Sequence, residues 1–489
     1  MRRRIWSKGT RRTTVSARFS SIIAPFIILG PTVLLPTNAG AQSLREAVDL
    51  AMTAHYGVQE AQANRNATAF ELEQAKGLFM PTLDVDAGVG PEGQWTSGAG
   101  DQWSLSRSVG VSLNWSVFDG GANGAERARQ AARVDSAAFR VMSRSEAIAL
   151  DTVLVYLDLL RSEQLVALAR DNLAEYERFV DRISDRVRSG ASGVADLRVI
   201  EERIEQAKVA LQQADQKRDD TIASFIRYTG QKPRKLWRPQ APTKRLPKSV
   251  EDIIARAWKA NPDIAAAVAD IDVAAAERAA AKAVFYPKLS LEGRVAAAED
   301  TGGGSGSTVD ASMVLRLRYN IFRGGIDTNI VSEQTERLAE SEFRADRIRQ
   351  EVALQARQSW IALQGARESI ALLKRELAIS EQIRTVFGDE FEAGKRSLID
   401  LFNAQSDVFT AKAAVISADY TRDFAVYRLL AVQGQLLETL AIAMAPEAIA
   451  DARMGEILRR RGAVAAAGQP PFPPEPDFSR PMLRPTLDN

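Results

Sequence analysis

The chain contains few side chains of the kinds that carry out chemistry. Its 489 residues include no cysteine and a single histidine, His55. The lack of cysteine excludes disulfides, thiolate metal sites and a lipid-modified N-terminal cysteine. One imidazole is a poor basis for a metal site or a catalytic triad, so we interpret His55 as a helix-surface residue. The sequence shows no glycine-rich phosphate loop and no nucleophile beside a base, and it therefore predicts no enzyme, no metal and no cofactor.

Charged side chains are the other resource for chemistry, and their signs are nearly balanced. Lys and Arg number 64 and Asp and Glu 62, which gives a net charge of +2. Residues 1–41 hold seven of the cations and no acid, so the remainder of the chain carries −5. This balance does not indicate a basic surface for nucleic acid.

Two aspartates recur in a fixed pattern. Gly190 and Asp196 correspond to Gly394 and Asp400 at an offset of 204 residues. Each pair lies where one helical segment is predicted to turn back into another. The pattern alone leaves their role open, because an aspartate there can simply cap or flank an exposed helix start.

The turns belong to a duplicated sequence. Residues 79–81 and 285–287 share an F-x-P pattern, and residues 117–121 and 321–325 share [VI]-F-x-G-G. The offset is 206 at the first pair and 204 at the second, so the difference falls in a predicted hairpin tip that tolerates a length change. The sequence therefore predicts one structural unit that is repeated twice.

Each unit contains strands with two unlike faces. Residues 109–117 place apolar side chains at every odd position and small or polar ones between them, and residues 313–321 copy the pattern. A strand at about 81–89 precedes the first of them. Such strands need an apolar exterior and a wet opposite face, which we expect to place Leu113 and Leu315 toward lipid and Ser112 and Val314 toward a lumen.

Long helices accompany the strands. One is predicted from about Leu44 to Leu78, and a second runs from about Asn123 to Ser189, a length of ~100 Å at 1.5 Å per residue. Apolar residues in the second helix recur at steps of four and three, the spacing of a coiled-coil seam. Helices of this length do not close a compact core, and four strands do not close a barrel. Several chains must therefore share a membrane β-barrel.

The sequence divides into five segments. Residues 1–41 have a basic start, an apolar run and Ala39-Gly40-Ala41, the pattern of an export signal cut after Ala41. A membrane anchor is the alternative, but three prolines interrupt a run that is too short to span. The other segments are a first repeat at 42–230, a basic, proline-rich linker at 231–248, a second repeat at 249–440, and a tail at 441–489 that is expected to be disordered from 469.

The chain resembles the TolC family of outer-membrane efflux proteins over about residues 43–440. The resemblance rests on the order of elements, the paired junctions, Asn261-Pro262 and the Ala393–Leu401 stretch. The resemblance implies a homotrimer in which four strands per subunit close one twelve-stranded β-barrel in outer-membrane lipid, continued by a coiled-coil α-helical barrel in the periplasm. It also implies two partners, a periplasmic adaptor protein and an inner-membrane transporter that is ABC-type or proton-driven. One departure is His55-Tyr56, which stands where the second repeat has Asn261-Pro262.

The resemblance further implies a periplasmic gate at the two helix–turn–helix units. Asp400 matches an acidic residue that lines the constriction, and Asn403 falls where a second acid is often found. The tightest ring would then carry three carboxylates instead of six. The residues implied in the gate are Asp400, Asn403, Arg396, Phe391, Asp196 and Asp185.

Within this gate, Phe391 and Arg396 match an aromatic residue and an arginine that tie the gating helices to their neighbours. Asp196 and Asp185 in the first repeat are the expected partners of Arg396.

The function implied is the exit duct of a tripartite export system. Protein export by a type I system is favoured over multidrug efflux, because the lipid-anchor cysteine is missing and the Ala393–Asp400 stretch is most similar to export-type members. A soluble periplasmic coiled-coil adaptor or scaffold is the alternative from another class, and the alternating strands argue against it.

Overall fold

A computed structural model describes residues 42–96, 100–190, 193–301 and 305–453. The expected export signal and the proline-rich stretch from 469 lie outside these residues. Each half contains two helices, two strands, a long helix and a shorter helix. The elements are α1 Leu44–Ala54, α2 Tyr56–Gly77, β1 Thr82–Thr96, β2 Gly100–Phe118, α3 Ala122–Arg188, α4 Val194–Thr229, α5 Val250–Ala260, α6 Pro262–Lys282, β3 Lys288–Glu299, β4 Ser307–Arg318, α7 Ile326–Glu392, α8 Leu398–Val432 and α9 Leu436–Thr439.

The four strands form one antiparallel sheet in the order β1-β2-β3-β4. Its register aligns the alternation across the sheet: Leu113 lies opposite Leu83 on one side and Gly293 on the other, and Leu315 lies opposite Leu291. Because side chains alternate between faces, these pairs build one continuous apolar face.

The opposite face of the sheet is mostly polar. One row across the four strands consists of Asp84, Ser112, Arg294 and Ser312. On the same face, the Arg316 Nε of β4 donates a hydrogen bond to the Glu292 carboxylate of β3 at 2.8 Å. The two-faced character that the alternation predicts is therefore present in all four strands.

The strand ends differ from the sequence expectation. β1 and β2 extend over 15 and 19 residues, well beyond the segments predicted from alternation alone. β4 ends at Arg318, so Tyr319 and Ile321, which the pattern included, lie after the strand. Strand pairing continues through Gly, Ser and Gln residues that carry no alternation signal, because backbone hydrogen bonds define the ladder.

The long helices match the prediction closely. α3 and α7 each contain 67 residues and span ~100 Å. Each begins at a glycine with positive φ, 93° at Gly121 and 81° at Gly325. At Gly120 (φ 75°) a Cβ would also collide with the carbonyl oxygen of Ala283. The two glycines of the first [VI]-F-x-G-G junction are thus required by backbone conformation and by close approach.

The predicted single helix from Leu44 to Leu78 is wrong, because the structure breaks it at His55. The His55 Nδ1 atom accepts a hydrogen bond from the Gly57 N–H at 3.0 Å and caps the start of α2. Asn261 does the same for α6, its Oδ1 accepting from Asp263 N–H at 2.9 Å. His55 is therefore a cap and not a plain helix-surface residue. Burial and the nearby Arg144 and Arg227 lower its pKa.

The helices pack side by side along α3. α2 and α6 lie against its first half, where Ser136 donates to Asp270 at 2.6 Å. α4 and α8 lie against its second half, where the Gln405 side-chain amide donates to Asn172 at 3.1 Å. Among the described residues, no helix combines the length and the apolar character that a membrane span requires.

Candidate functional site: the two helical hairpins

The second hairpin reverses the chain between α7 and α8 with a defined turn. Gly394 adopts a φ of 72°. Its N–H donates to the backbone carbonyl oxygen of Phe391 at 3.0 Å, and the Lys395 N–H donates to that of Glu390 at 2.8 Å. These two bonds are the Schellman pattern that ends a helix at a left-handed residue. The next helix starts at once, because the Ser397 Oγ accepts from the Asp400 N–H at 3.1 Å.

Arg396 is held inside this turn by three groups of its own hairpin. Its Nε donates to Glu390 Oε2 at 2.8 Å, and its guanidinium lies 4.1 Å from the centre of the Phe387 ring. A more distant ion pair joins it to Asp400 at 3.8 Å. Arg396 and Glu390 are both about one-third exposed.

The pairing of Arg396 with Asp196 or Asp185 is not the one that the described residues of the subunit make. Asp196 accepts from the Gly193 N–H at 3.2 Å and so caps its own helix. Asp185 pairs with Arg188 one turn along α3. The physical reason is local: the Schellman turn folds residue 396 back over residue 390, whereas both aspartates have partners in their own hairpin.

A buried aromatic cluster joins the two hairpins beside the turns. Phe402 of α8 is fully buried and meets Tyr176 and Phe179 of α3 edge to face, with ring centroids 5.4 and 5.5 Å apart. Burial raises the pKa of the Tyr176 hydroxyl. Phe391 packs against the same cluster, and the Arg186 guanidinium lies 4.9 Å from its ring centre.

Polar contacts also cross between the hairpins. Arg203 of α4 donates to the Asn403 side-chain oxygen at 3.3 Å, and Arg182 of α3 lies 3.8 Å from Glu392 at the end of α7. Of the six residues implied for the gate, Asn403 and Phe391 therefore contact the first hairpin directly. Asp400 and Arg396 lie together in the second hairpin, and Asp196 and Asp185 lie in the first.

The sequence reasoning missed most of the contact residues of this site, among them the following four. Glu390 and Phe387 hold Arg396, Phe402 forms the buried cluster, and Arg203 binds Asn403. Glu390 could have been found from the glycine turn, because a Schellman motif at Gly394 brings Lys395 against Glu390 and Arg396 follows directly. No sequence signal singles out Phe402, because apolar residues on the buried faces of helices are abundant throughout the chain.

The arrangement contains positioning groups and no reactive ones. No group of acidic or histidine side chains in the part of the chain that the structure describes could hold a metal ion. The residues of this site hold the ends of the two helical hairpins together through a few side-chain contacts. The site also presents a carboxylate, Asp400, at the start of α8 next to the turn.

The sequence matches the family model described as "Outer membrane efflux protein" over residues 48–231 and 253–435. It is 23% identical over 432 residues to the outer membrane efflux protein BepC of Brucella suis, covering 87% of this chain and 92% of that protein. It is 25% identical over 402 residues to the protein CyaE of Bordetella pertussis, covering 81% of this chain and 84% of that protein.

The fold is shared with solved structures. A membrane protein from Pseudomonas aeruginosa superposes with a TM-score of 0.71 at 20% identity, over 80% of this chain and 90% of that one. The likeness confirms the TolC-like fold, with four strands per subunit and long paired helices. Since the family model covers most of the residues in both repeats, the chain belongs to the outer membrane efflux protein family.

Proposed function

We propose that three copies of this chain form the outer-membrane exit duct of a tripartite export system, with the helices extending into the periplasm. The observation that carries the proposal is the continuous apolar face on a sheet with two free edges, β1 and β4. Unpaired edges do not persist in lipid, and four strands are too few to close a barrel. Three subunits supply twelve strands, and β4 of each pairs with β1 of the next.

A soluble adaptor or scaffold is the rival function, and the sheet argues against it. Met313 and Val85 of the apolar face are 72% and 71% exposed in the single subunit. A soluble protein rarely leaves a contiguous apolar surface of this kind uncovered. Lipid covers such a face, and the polar face then lines water.

The orientation of the sheet is tested by moving one charge between adjacent positions of β4. Leu315→Arg places a cation on the apolar face and should cost roughly 2–4 kcal/mol near the bilayer midplane, so heat-resistant trimers should decrease. Val314→Arg places the same cation on the face that carries Glu292 and should assemble normally. Trimer yield in outer-membrane fractions measures the difference. Equal loss in both variants would contradict the orientation.

The two hairpins form the periplasmic gate in this proposal, at the ends of the helices farthest from the strands. The Glu390–Arg396 bond fixes the shape of the second hairpin, and Asn403, Phe391 and Glu392 attach it to the first. Opening requires the contacts between hairpins to separate. The adaptor and the transporter would supply the free energy for that separation by binding the open state more tightly.

Loosening the second hairpin should open the duct. Arg396→Ser removes a partly buried charge-assisted bond worth roughly 1.5–3 kcal/mol, Glu390→Gln weakens it by leaving a neutral acceptor, and three subunits add their effects. We expect a higher single-channel conductance for both variants in planar lipid bilayers. Phe391→Ala combined with Arg396→Ser should raise it further.

Lys395→Ser is the matched control for these recordings, since Lys395 is an exposed neighbouring cation of the same turn. Its conductance should equal that of the unmodified protein. If Arg396→Ser and Glu390→Gln form intact trimers with the control's conductance, the Glu390–Arg396 bond does not hold the duct closed.

Asp400 should set the charge preference of the closed duct. Three carboxylates around a narrow axis focus a negative potential, which favours cations. Asp400→Ala should therefore move the reversal potential in a salt gradient toward zero and weaken block by multivalent cations. Asp389→Ala removes an exposed carboxylate from α7 and serves as control. A reversal potential that Asp389→Ala changes as much as Asp400→Ala would place the selective ring elsewhere.

For the cargo, we favour protein secretion over small-molecule efflux, on the missing lipid-anchor cysteine and the Ala393–Asp400 stretch. A strain lacking this chain should then lose specific proteins from its culture medium and keep its susceptibility to hydrophobic drugs. The wild-type gene should restore secretion. Increased drug susceptibility with an unchanged set of secreted proteins would instead assign the duct to efflux.

A further inference from the structure

The segment between the repeats, residues 231–248, has a composition unlike the rest of the chain. It contains seven Lys and Arg, four prolines and no acid. The duct proposed above gives this concentration of positive charge no role. We name residues 231–248 the belt segment.

The belt segment is fixed to the helices although it is largely irregular. Leu236 pairs with Gln42 in a parallel bridge, and the Tyr156 hydroxyl lies 2.6 Å from the Trp237 carbonyl oxygen. The Trp237 N–H donates to Gln42 O at 3.2 Å. The segment is therefore held by its backbone and not only by its ends.

Apolar side chains anchor the belt segment along its length. Leu236 and Pro247 are buried, and Ala241 and Leu246 pack against two separate hydrophobic clusters, one around Tyr156 and one at α5 and α7. Buried positions are thus occupied by apolar residues, and the cations are exposed to solvent in the subunit. Their positions are set by the fold.

Most of these cations have no counter-charge. Arg238 pairs with Asp423 at 3.1 Å. Five others are exposed and form no ion pair with any residue that the structure describes, although cations elsewhere on the helices pair repeatedly within one turn. Unpaired like charges within one short segment repel one another, and a bound anion relieves the repulsion. The five residues are Lys232, Lys235, Lys244, Arg245 and Lys248.

An exposed indole lies among these cations. The Trp237 side chain is 68% exposed, while its own backbone is fixed by Tyr156 and Gln42. A flat apolar ring with one N–H donor, held on a rigid backbone, presents a stacking surface to a partner that has both apolar faces and polar edges. The pyranose rings of a glycan have that character.

The position of the belt segment excludes lipid headgroups as the anion. Tyr156, which holds it, lies 34 residues along α3 from Ala122, where the helix leaves the sheet. At 1.5 Å per residue this is ~50 Å, farther than the headgroup region of a membrane crossed by the strands would reach. A periplasmic partner that carries negative charge fits this position better than a lipid headgroup.

We propose that the belt segment binds the peptidoglycan layer, with the five cations pairing with the free carboxylates of its peptide stems and Trp237 stacking on its sugars. This rests on the proposed function, since it requires the helices to stand in the periplasm. Three copies of the segment around the tunnel would let one duct bind several stems at once, which multiplies weak individual contacts. The proposal assigns an anchoring role to the linker between the repeats.

The test is co-sedimentation of the full-length protein, purified in detergent, with isolated peptidoglycan sacculi. The unmodified protein should pellet with the sacculi, and replacing all five cations by Gln should lower the bound fraction at least about tenfold. Trp237→Ala should weaken binding without changing the charge. Sacculi whose carboxylates have been amidated should no longer retain the unmodified protein.

A matched control carries the same change in net charge on the helices, with five exposed cations replaced by Gln: Lys208, Lys217, Lys282, Lys374 and Arg375. It should bind sacculi like the unmodified protein. Equal loss of binding in both fivefold variants, binding that survives amidation, or retention by an acidic periplasmic protein but not by sacculi would each overturn the proposal.

Channel recordings separate this proposal from the one on which it rests. The belt variant should form trimers with unchanged conductance in planar bilayers, because none of its substitutions touches a strand or a hairpin. If the unmodified protein makes channels but does not bind sacculi, only the belt proposal is wrong. If it makes no channels, the duct proposal is wrong whatever the sacculi bind.

Discussion

The subunit depends on a sheet that cannot be complete by itself. Four antiparallel strands leave the outer N–H and C=O groups of β1 and β4 without sheet partners in one subunit. In hydrocarbon an unpaired backbone group costs several kcal/mol, so a membrane sheet must close on itself. Duplication raises the number of strands from two to four, and a long helix and a shorter helix follow each strand pair. In the proposed trimer, the register that keeps Leu83, Leu113 and Leu315 on one face puts lipid outside the closed sheet and water inside it.

The junction between β2 and α3 tolerates only a few residue types at particular positions. The Asp119 carboxylate accepts from the Gly121 and Asn123 N–H groups at 2.9 and 2.6 Å, and Gly120 lets the chain pass close to Ala283. A similar close approach occurs at Gly434 (φ 64°), where a Cβ would collide with the carbonyl oxygen of Ala260. Gly120 thus lets the first repeat pass close to the second beside the sheet, and Gly434 lets the chain after α8 pass the end of α5 within the second repeat.

The sequence predicted those features that repeat over many residues, and failed where one side chain decides. Helix α3 and the two-faced strands follow from periodicity, which averages over tens of positions. The break at His55 was missed because an imidazole nitrogen rarely caps a helix, and no proline marks the site as it does at Asn261-Pro262. The ladder beyond the alternating segments was missed because it rests on backbone bonds.

The hairpin site shows the same limit. The positions of Asp400 and Arg396 beside a glycine turn could be predicted from the resemblance. The partner of Arg396 could not, because it depends on how the turn folds residue 396 over Glu390, which lies in the same hairpin. A family pattern transfers positions along the chain more safely than it transfers contacts between side chains.

Divergence between the two hairpins follows from the same contacts. At the offset of 204, Glu390 corresponds to Arg186 and Arg396 to Ser192, so the first repeat cannot form the bond that fixes the second turn. Its own pair, Asp185 with Arg188, is more than 70% exposed on both sides and is worth about 0–1 kcal/mol. The Glu390–Arg396 bond is better shielded and also lies on the Phe387 ring. Duplication therefore supplied similar elements twice, and side-chain changes gave the second hairpin a bond between Glu390 and Arg396 that the residue types at the matching positions of the first cannot make.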